Sequence, residues 1–443
     1  MGAINIKHTG SGSDISLSSD GTSLLLDGTA IGGGGGDPDL YRDNASSATT
    51  PTASGTNSLA IGNTAVASGE NSFAIGSDTD ATGLNSLALG KGAQAVSTRC
   101  IAMGLNASAQ ADRSIAIGNN GNVANATYAT AIGSGSVGSG SEAHGSGSVA
   151  LSNSRTGGAD SLAAVIADNT SSYGASGSNS IAMGYQAKVT TNYGVAIGWK
   201  AKCTAGDIAT AVGPNSTASG WYSTVIGGLG GSATQNYASA LGGQGSQATG
   251  SSSTVAGGYS NTASGSYSIV TGGRGNTAGY NYTRAGGYEA HSGFRWGKDV
   301  WASGEFSSAG DAQTGKMVLR CDTTDATATA LTSDNSSTST INQVILPDNS
   351  AYAFHGTIVA RQQAADGTAC AAWKVEGLIR REGSAGTTVL VNSATTVLDN
   401  TPNWGMALSA DTTNGGLAIT CTGAASTDIR WVATIHTSEV TYA

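Results

Sequence analysis

Short apolar triplets alternate along the chain with runs of Ser, Thr, Asn and Gly, and they recur on a fixed period. An Ala-(Ile/Leu/Met)-Gly triplet ends at Gly62, Gly76, Gly90, Gly104 and Gly118, with a spacing of 14 residues. It returns at Gly133, and after an irregular stretch a looser form runs through Gly184, Gly198, Gly213, Gly227, Gly242, Gly257, Gly272 and Gly286. Five residues ahead of the glycine stands Asn or Arg followed by Ser or Cys, as in Asn57-Ser58, Asn71-Ser72, Asn85-Ser86, Arg99-Cys100, Arg113-Ser114 and Asn179-Ser180. Behind it comes a small-residue run such as Ala67-Ser68-Gly69 or Ala81-Thr82-Gly83, and from Gly227-Gly228 onward the glycines are paired.

A period of 14 or 15 residues is too short for a helix pair or a propeller blade. It fits two strands of about four residues with two tight turns, stacked as the coils of a parallel β-solenoid. In Ser58-Leu59-Ala60-Ile61-Gly62, alternation sends Leu59 and Ile61 to one face and Ala60 to the other. The expectation is that the large side chains fill the coil and the alanines make a flat outer face. One such ribbon buries too little apolar surface to offset its chain entropy. Ribbons packed through their small residues solve this, which predicts a homotrimer with the alanine stripe near its axis. At about 4.8 Å per coil, about fourteen to seventeen coils make a rod of roughly 65–80 Å.

The flanks read differently. Residues 1–36 hold short alternating runs, Ala3 to Lys7, Asp14 to Leu17 and Ser23 to Leu26, closed by Gly32 to Gly36: a β cap, either an attachment region or a plain terminal cap. Residues 37–55 are a connector. The repeats occupy 56–292, with 134–180 read as drift in the period, where Leu151 and Ile166 are candidate core positions. Residues 293–315 bring Trp296 and Trp301 together with Arg295, Lys298 and Asp299, a neck that closes the open end of the solenoid. In 316–443, strand-like runs with turn signals between them predict an antiparallel β-sandwich knob. Trp373, Val375 and Ile379 share one face there, opposite Lys374, Glu376 and Arg380; Trp431, Ala433 and Ile435 are set against Arg430, Thr434 and His436. The fold class is therefore all-β.

Composition narrows the function. The 443 residues carry a net charge of −9, only 11% of them are charged, and 67 are glycine. No basic face is available to neutralise phosphates, so nucleic acid is not an expected partner. No apolar run approaches the length of a membrane helix, so no membrane insertion is expected. Met1 to His8 has no apolar signal core, which points to synthesis in the cytoplasm. The five cysteines (Cys100, Cys203, Cys321, Cys370, Cys421) include no CxxC pair; Cys100 takes a Ser slot of the repeat and Cys203 an Ala slot, as small core residues.

Catalytic signals are weak. Gly133 to Gly138 fits G-x-G-x-x-G, but without a βαβ unit around it, in a glycine-rich chain. The five histidines are dispersed, and no metal or cofactor is expected. Glycoside cleavage needs two carboxylates roughly 5–10 Å apart. Those of the shaft are scattered, and in the knob Asp322 with Asp325, or Asp399 with Asp411, are the pairs that could approach. The chain is accordingly expected not to be an enzyme. Carbohydrate sites commonly use exposed aromatics flanked by amides and carboxylates. The loop with Asp399, Asn400, Asn403 and Trp404 has that composition and is the candidate binding site, although Trp404 also starts an alternating strand with Met406 and Leu408, which makes it a core candidate.

The units at 57–69 and 71–83 resemble the head repeats of trimeric autotransporter adhesins, the YadA-like left-handed β-roll. The resemblance covers about 56–292 and implies a trimeric, shaft-like presentation device. Those adhesins carry a signal peptide, a heptad stalk and a membrane barrel, which this sequence does not show. The paired-glycine repeats, Phe294-Arg295-Trp296 and the segment Gly304 to Gln313 look like phage tail-fibre proteins, which use similar repeats. What that likeness implies is a homotrimeric virion fibre with three parts. The N-terminal region would meet tail or baseplate proteins, the β-roll would be a rigid spacer, and the knob would meet a host cell-surface glycan or protein. A structural virion trimer (head fibre, decoration or adaptor) and a polysaccharide-degrading tailspike are the alternatives.

Overall fold

The computed structural model describes residues 4–6, 15–19, 24–26, 29–30, 50–133, 140–164, 172–363 and 369–442. The chain divides into two compact units, Met1–Thr204 and Ala205–Ala443.

The first unit opens with a four-stranded antiparallel sheet, Ile4–Ile6, Ile15–Ser19, Leu24–Leu26 and Thr29–Ala30 in sequential order. The glycine run and most of the connector lie outside the described residues. The repeats then form a parallel solenoid. Three-residue strands, Leu59–Ile61, Phe73–Ile75, Leu87–Leu89, Ile101–Met103 and Ile115–Ile117, stack on one side. Two-residue strands, Val66–Ala67, Asp80–Ala81, Gln94–Ala95, Ser108–Ala109 and Val123–Ala124, stack on the other. Both are shorter than the sequence suggested, since the corners take up the rest of each coil. Register is one repeat: Leu59 pairs with Phe73, Ala60 with Ala74 and Ile61 with Ile75.

The orientation of the triplet is the reverse of the expectation. Ala74, Ala88, Ala102 and Ala116 are fully buried inside the coil, with Ala67, Ala81 and Ala95 facing them from the second sheet. Leu59 and Ile61 point outward, and Phe73 and Ile75 are 42% and 37% exposed. The reason is the size of the coil. A loop that closes in 14 residues leaves room between its two sheets for small side chains, mostly Ala and Ser with an occasional Cys, Thr or Val; Ser72, Ser86, Cys100 and Ser114 occupy that interior too. The large aliphatics are displaced to the outer face, so the stripe left to pack against another ribbon is the aliphatic one and not the alanine one.

The corners explain the remaining marks of the repeat. The first is left-handed, with Asn57, Asn71 and Asn85 at φ 56°, 54° and 56°, a region that Asn tolerates better than most residues. Their side chains form a ladder: Asn57 Nδ2 donates to Asn71 Oδ1 at 3.1 Å and Asn71 Nδ2 to Asn85 Oδ1 at 3.0 Å. The triplet glycine makes the next corner; at Gly104 (φ +120°) a Cβ would lie 2.0 Å from the Gly118 carbonyl oxygen of the coil above. The coils continue through the irregular stretch, where Glu142–Ala143 pairs with Val123–Ala124 and with Arg155–Thr156. Leu151 is on the outer face there, half-buried, rather than in the core, and Ile166 lies outside the described residues.

The second unit begins with coils of the same kind, among them Thr224–Ile226, Ser239–Leu241 and Ile269–Arg274. The paired glycines add a bend: Gly243, Gly258 and Gly273 have φ of +76°, +95° and +97°, and the residues that follow, Gln244, Tyr259 and Arg274, make parallel bridges of their own. Buried Asn276 holds this bend by donating to the Gly272 and Gly287 carbonyls at 3.0 and 2.7 Å.

The strand Asp299–Ser303 pairs in parallel with Arg284–Tyr288 and antiparallel with Ala312–Thr323. It thereby covers the last solenoid edge and converts parallel pairing to antiparallel. Beyond it lies a sheet in the order Ala312–Thr323, Ile429–Thr441, Ser350–Gln362, Cys370–Arg381, Val389–Asp399. A second antiparallel sheet joins Ala328–Ala330, Val344–Ile345 and Gly405–Asp411 to Gly416–Thr422. Between them sit Leu319, Ile358, Trp373, Val375, Ile379, Trp431 and Ile435, with Leu417 and Ile419. The inward set read from alternation is the buried set.

Candidate functional site

The loop from Asp399 to Trp404 is closed on itself. Asn400 Oδ1 accepts from the Trp404 amide at 2.9 Å, and Asn400 Nδ2 donates to the Trp404 carbonyl at 2.8 Å. Asp399 Oδ1 accepts from the Thr401 hydroxyl at 2.8 Å. Asn403 is exposed in a left-handed turn (φ 58°). Trp404 is 5% exposed, with its ring 5.8 Å from that of Trp431, so the indole belongs to the core and offers no face to a ligand. The structure thus brings Asp399, Asn400 and Trp404 into one turn but uses their polar atoms to hold it.

The other sequence candidates are similarly committed. Asp322 faces Asn335 and Arg430, and Asp411 caps its own turn through Thr413 and Asn414. His355 and His436 stack across neighbouring strands with centroids 5.3 Å apart on the outer face of the sheet. Among the described residues no three His, Cys, Asp or Glu side chains come together as a metal site. Cys100 and Cys203 are fully buried in the coil interior.

The densest group of buried charge lies elsewhere, where the last coil meets the C-terminal sheets. Lys298 Nζ donates to Glu439 Oε2 at 2.7 Å, with side chains 6% and 1% exposed. Gln313 Nε2 donates to the same oxygen at 2.9 Å and Thr437 Oγ1 to Oε1 at 2.6 Å. Lys298 Nζ also lies 5.4 Å from the centre of the buried Tyr352 ring. Burial alone would raise the Glu439 carboxyl; the Lys298 charge and these hydrogen bonds overcome it and hold the group below its ordinary range.

Beside this pair opens a pocket of about 290 Å³, lined by His291, Phe294, Arg295, Lys298 and Gln313 among others. Arg295 Nε donates to the Ile345 carbonyl and Nη1 to those of Phe294 and Thr340; among the described residues Nη2 has no partner. The backbone of His291 is clamped by Gln313 (3.0 and 2.9 Å), and its ring nitrogens have no partner among the described residues. Burial, and then the charges of Lys298 and Arg295, push the imidazole below its usual value. Asp311 is also in the wall, but its carboxylate accepts the amides of Phe306, Ser307 and Ser308 at 2.8, 2.7 and 2.9 Å. Aromatic rings lead to the rim: Tyr267 stacks on Tyr282 at 5.1 Å, Tyr282 meets Trp296 at 5.0 Å, and Tyr280 meets Phe294 edge-on at 6.3 Å. The sequence marked the neck by its aromatics and charges, but Glu439, 141 residues further on, carries no local signal of its role.

A family model, the YadA head domain repeat, matches residues 53–79, 81–99, 101–120, 175–201 and 206–229. No curated protein sequence matches the chain. Among the solved structures it is similar to are three tailspikes. The gp49 tailspike of Acinetobacter baumannii bacteriophage Fri1, described as a capsular polysaccharide depolymerase, is 8% identical over 86% of this chain and 62% of its own, with a TM-score of 0.21. The chain thus spans about three-fifths of that spike. The tailspike of Acinetobacter phage vB_ApiP_P1 is 11% identical over 87% and 82%, with a TM-score of 0.20. That of Acinetobacter baumannii phage AM24 is 10% identical over 88% and 69%, with a TM-score of 0.17. The expectation of a chain without enzymatic activity does not survive these matches, since one of the spikes is a depolymerase. At such scores they assign this chain neither that activity nor its residues.

Proposed function

We propose that the chain is a homotrimeric phage fibre protein that presents its C-terminal domain, 316–443, for attachment to a host surface. The solenoid of 56–292 acts as the stiff spacer, and the N-terminal strands join the virion. The observation that carries this reading is the outward aliphatic stripe. Leu59, Ile61, Phe73, Ile75 and their successors fall in register through the coils up to Ile117, with Thr, Ser or Ala in some of the later equivalent positions, and in a lone chain they are left partly in water. Contiguous apolar stripes of this kind mark protein–protein interfaces, and burying this one on a threefold axis gives a thin ribbon the core it lacks. The YadA-type repeats support the same assembly, since the adhesins they resemble are trimeric. Three sites on one fibre combine by effective concentration, so weak single contacts suffice for attachment.

The test is adherence of the fluorescently labelled full chain to candidate host cells. Saturable binding restricted to particular strains is the expected result. A folded trimer that binds none of them would move the reading to a structural virion component.

A further inference from the structure

We propose that the rim aromatics and the pocket beside Lys298 form a binding site for an acidic glycan. A pyranose ring would lie on Phe294, and a sugar carboxylate would be held by the Arg295 guanidinium, with the neutral His291 imidazole as a further donor. The inference deepens the attachment reading by naming the receptor chemistry, and it places the site at the junction, away from the loop with Trp404.

Three observations carry it. The first is aromatic surface left in water at a corner of the coil: Tyr267, Tyr282 and Phe294 are 58%, 51% and 66% exposed, and the rings follow one another at about one coil's rise. Tyr267 and Trp296 cover the two faces of Tyr282, so the ring with a face open to water is Phe294, and such a face stacks on the apolar face of a sugar ring whose hydroxyls stay in water. The second is charge. Of the groups lining the pocket, Lys298 is neutralised by Glu439, burial and the neighbouring cations keep the His291 imidazole neutral, and the Asp311 carboxylate, still charged, is turned to the amides of its own turn, which leaves Arg295 as the cation offered to a ligand. An anion entering the pocket meets Nη2 of Arg295 and an unpartnered imidazole, a pair suited to a carboxylate. The third is size. About 290 Å³ is at the small end for ligand pockets and matches a single sugar ring, with the rest of a chain left to run out over Phe294.

The probe is a tetrasaccharide alternating glucuronate and N-acetylglucosamine, compared by calorimetry on the full chain with the neutral N-acetylglucosamine tetramer. The acidic probe should bind at least about tenfold more tightly. Phe294→Ala and Arg295→Gln should each weaken it by about tenfold. Arg295 also holds the carbonyls of Ile345 and Thr340, so loss of binding in its variant counts only with an unchanged circular dichroism spectrum; Phe294, at the surface, is the independent arm. Equal affinity for the two probes, no binding of either, or binding that survives both substitutions overturns the site. Cell adherence is read in parallel. Adherence untouched by both substitutions leaves attachment standing and refutes this site. Tetrasaccharide binding without adherence to any cell supports the site and refutes attachment. If Phe294→Ala breaks the oligomer, the surface belongs to a second copy of the chain, and the proposal fails.

Discussion

Replacing Lys298 with Met removes the cation that faces Glu439. The two side chains are 6% and 1% exposed and their charged atoms 2.7 Å apart, so the carboxylate left behind is buried with no directly paired cation and only the charge of Arg295 nearby. Breaking such a pair from one side costs about 3–5 kcal/mol. The lower end is expected here, because Gln313 and Thr437 still donate to Glu439. For a domain of this size that lowers the melting temperature by roughly 10 °C. Lys298→Met combined with Glu439→Gln leaves no buried charge and should recover most of the loss, with a coupling of about 2 kcal/mol. The assay is thermal unfolding by near-ultraviolet circular dichroism, with hydrogen exchange along the strand Ile429–Thr441 as the local readout. The pair also sets an acid limb. Glu439 is held below its ordinary 4.5, so its stabilisation is full above that pH and is lost as the pH falls through the lower folded value. Glu439→Gln should flatten that limb. A Lys298→Met protein within about 0.5 kcal/mol of the parent, or a double variant no better than the single, would refute the reasoning.

Other consequences follow from the coil. Ala102→Leu places three extra carbons in an interior that holds only small side chains, and should cost about 1–3 kcal/mol in a melt of the solenoid. Gly104→Ala sets a Cβ 2.0 Å from the Gly118 oxygen at φ +120° and should cost more than about 3 kcal/mol or abolish soluble expression; Asn71→Gly, which keeps the left-handed corner and loses only the ladder bonds, should cost about 1 kcal/mol. Cys370 is exposed and the other four cysteines are buried, with the Cys100 thiol pushed up by burial. A thiol reagent should therefore titrate one group per native chain rapidly and five after denaturation.

The period was the most legible feature of the sequence. Parallel, in-register stacking sets each residue over its equivalent, so Ala60, Ala74 and Ala88 have the same surroundings and the same identity. Strand alternation was legible in the C-terminal sheets for the same local reason: Trp373, Val375 and Ile379 share a face because successive side chains point to opposite sides. Alternation separates two faces without saying which is inner. In the coil the available width decides, and it reversed the assignment of Leu59 and Ala60. Trp404 shows the converse: its alternation with Met406 and Leu408 spoke for the core, while its polar neighbours, which spoke for a ligand, bond within the turn. The Lys298–Glu439 pair spans 141 residues and depends on where a strand ends after the sheets have assembled, which no local pattern records.

The assembly is tested most directly by the mass of the full chain in sedimentation equilibrium at micromolar concentration. With 43.4 kDa per chain, the outward aliphatic stripe predicts a species of three chains, about 130 kDa, that falls apart when Ile75 and Ile117 are both replaced by Ser. A folded protein of 43.4 kDa, or a trimer indifferent to those substitutions, would contradict the account.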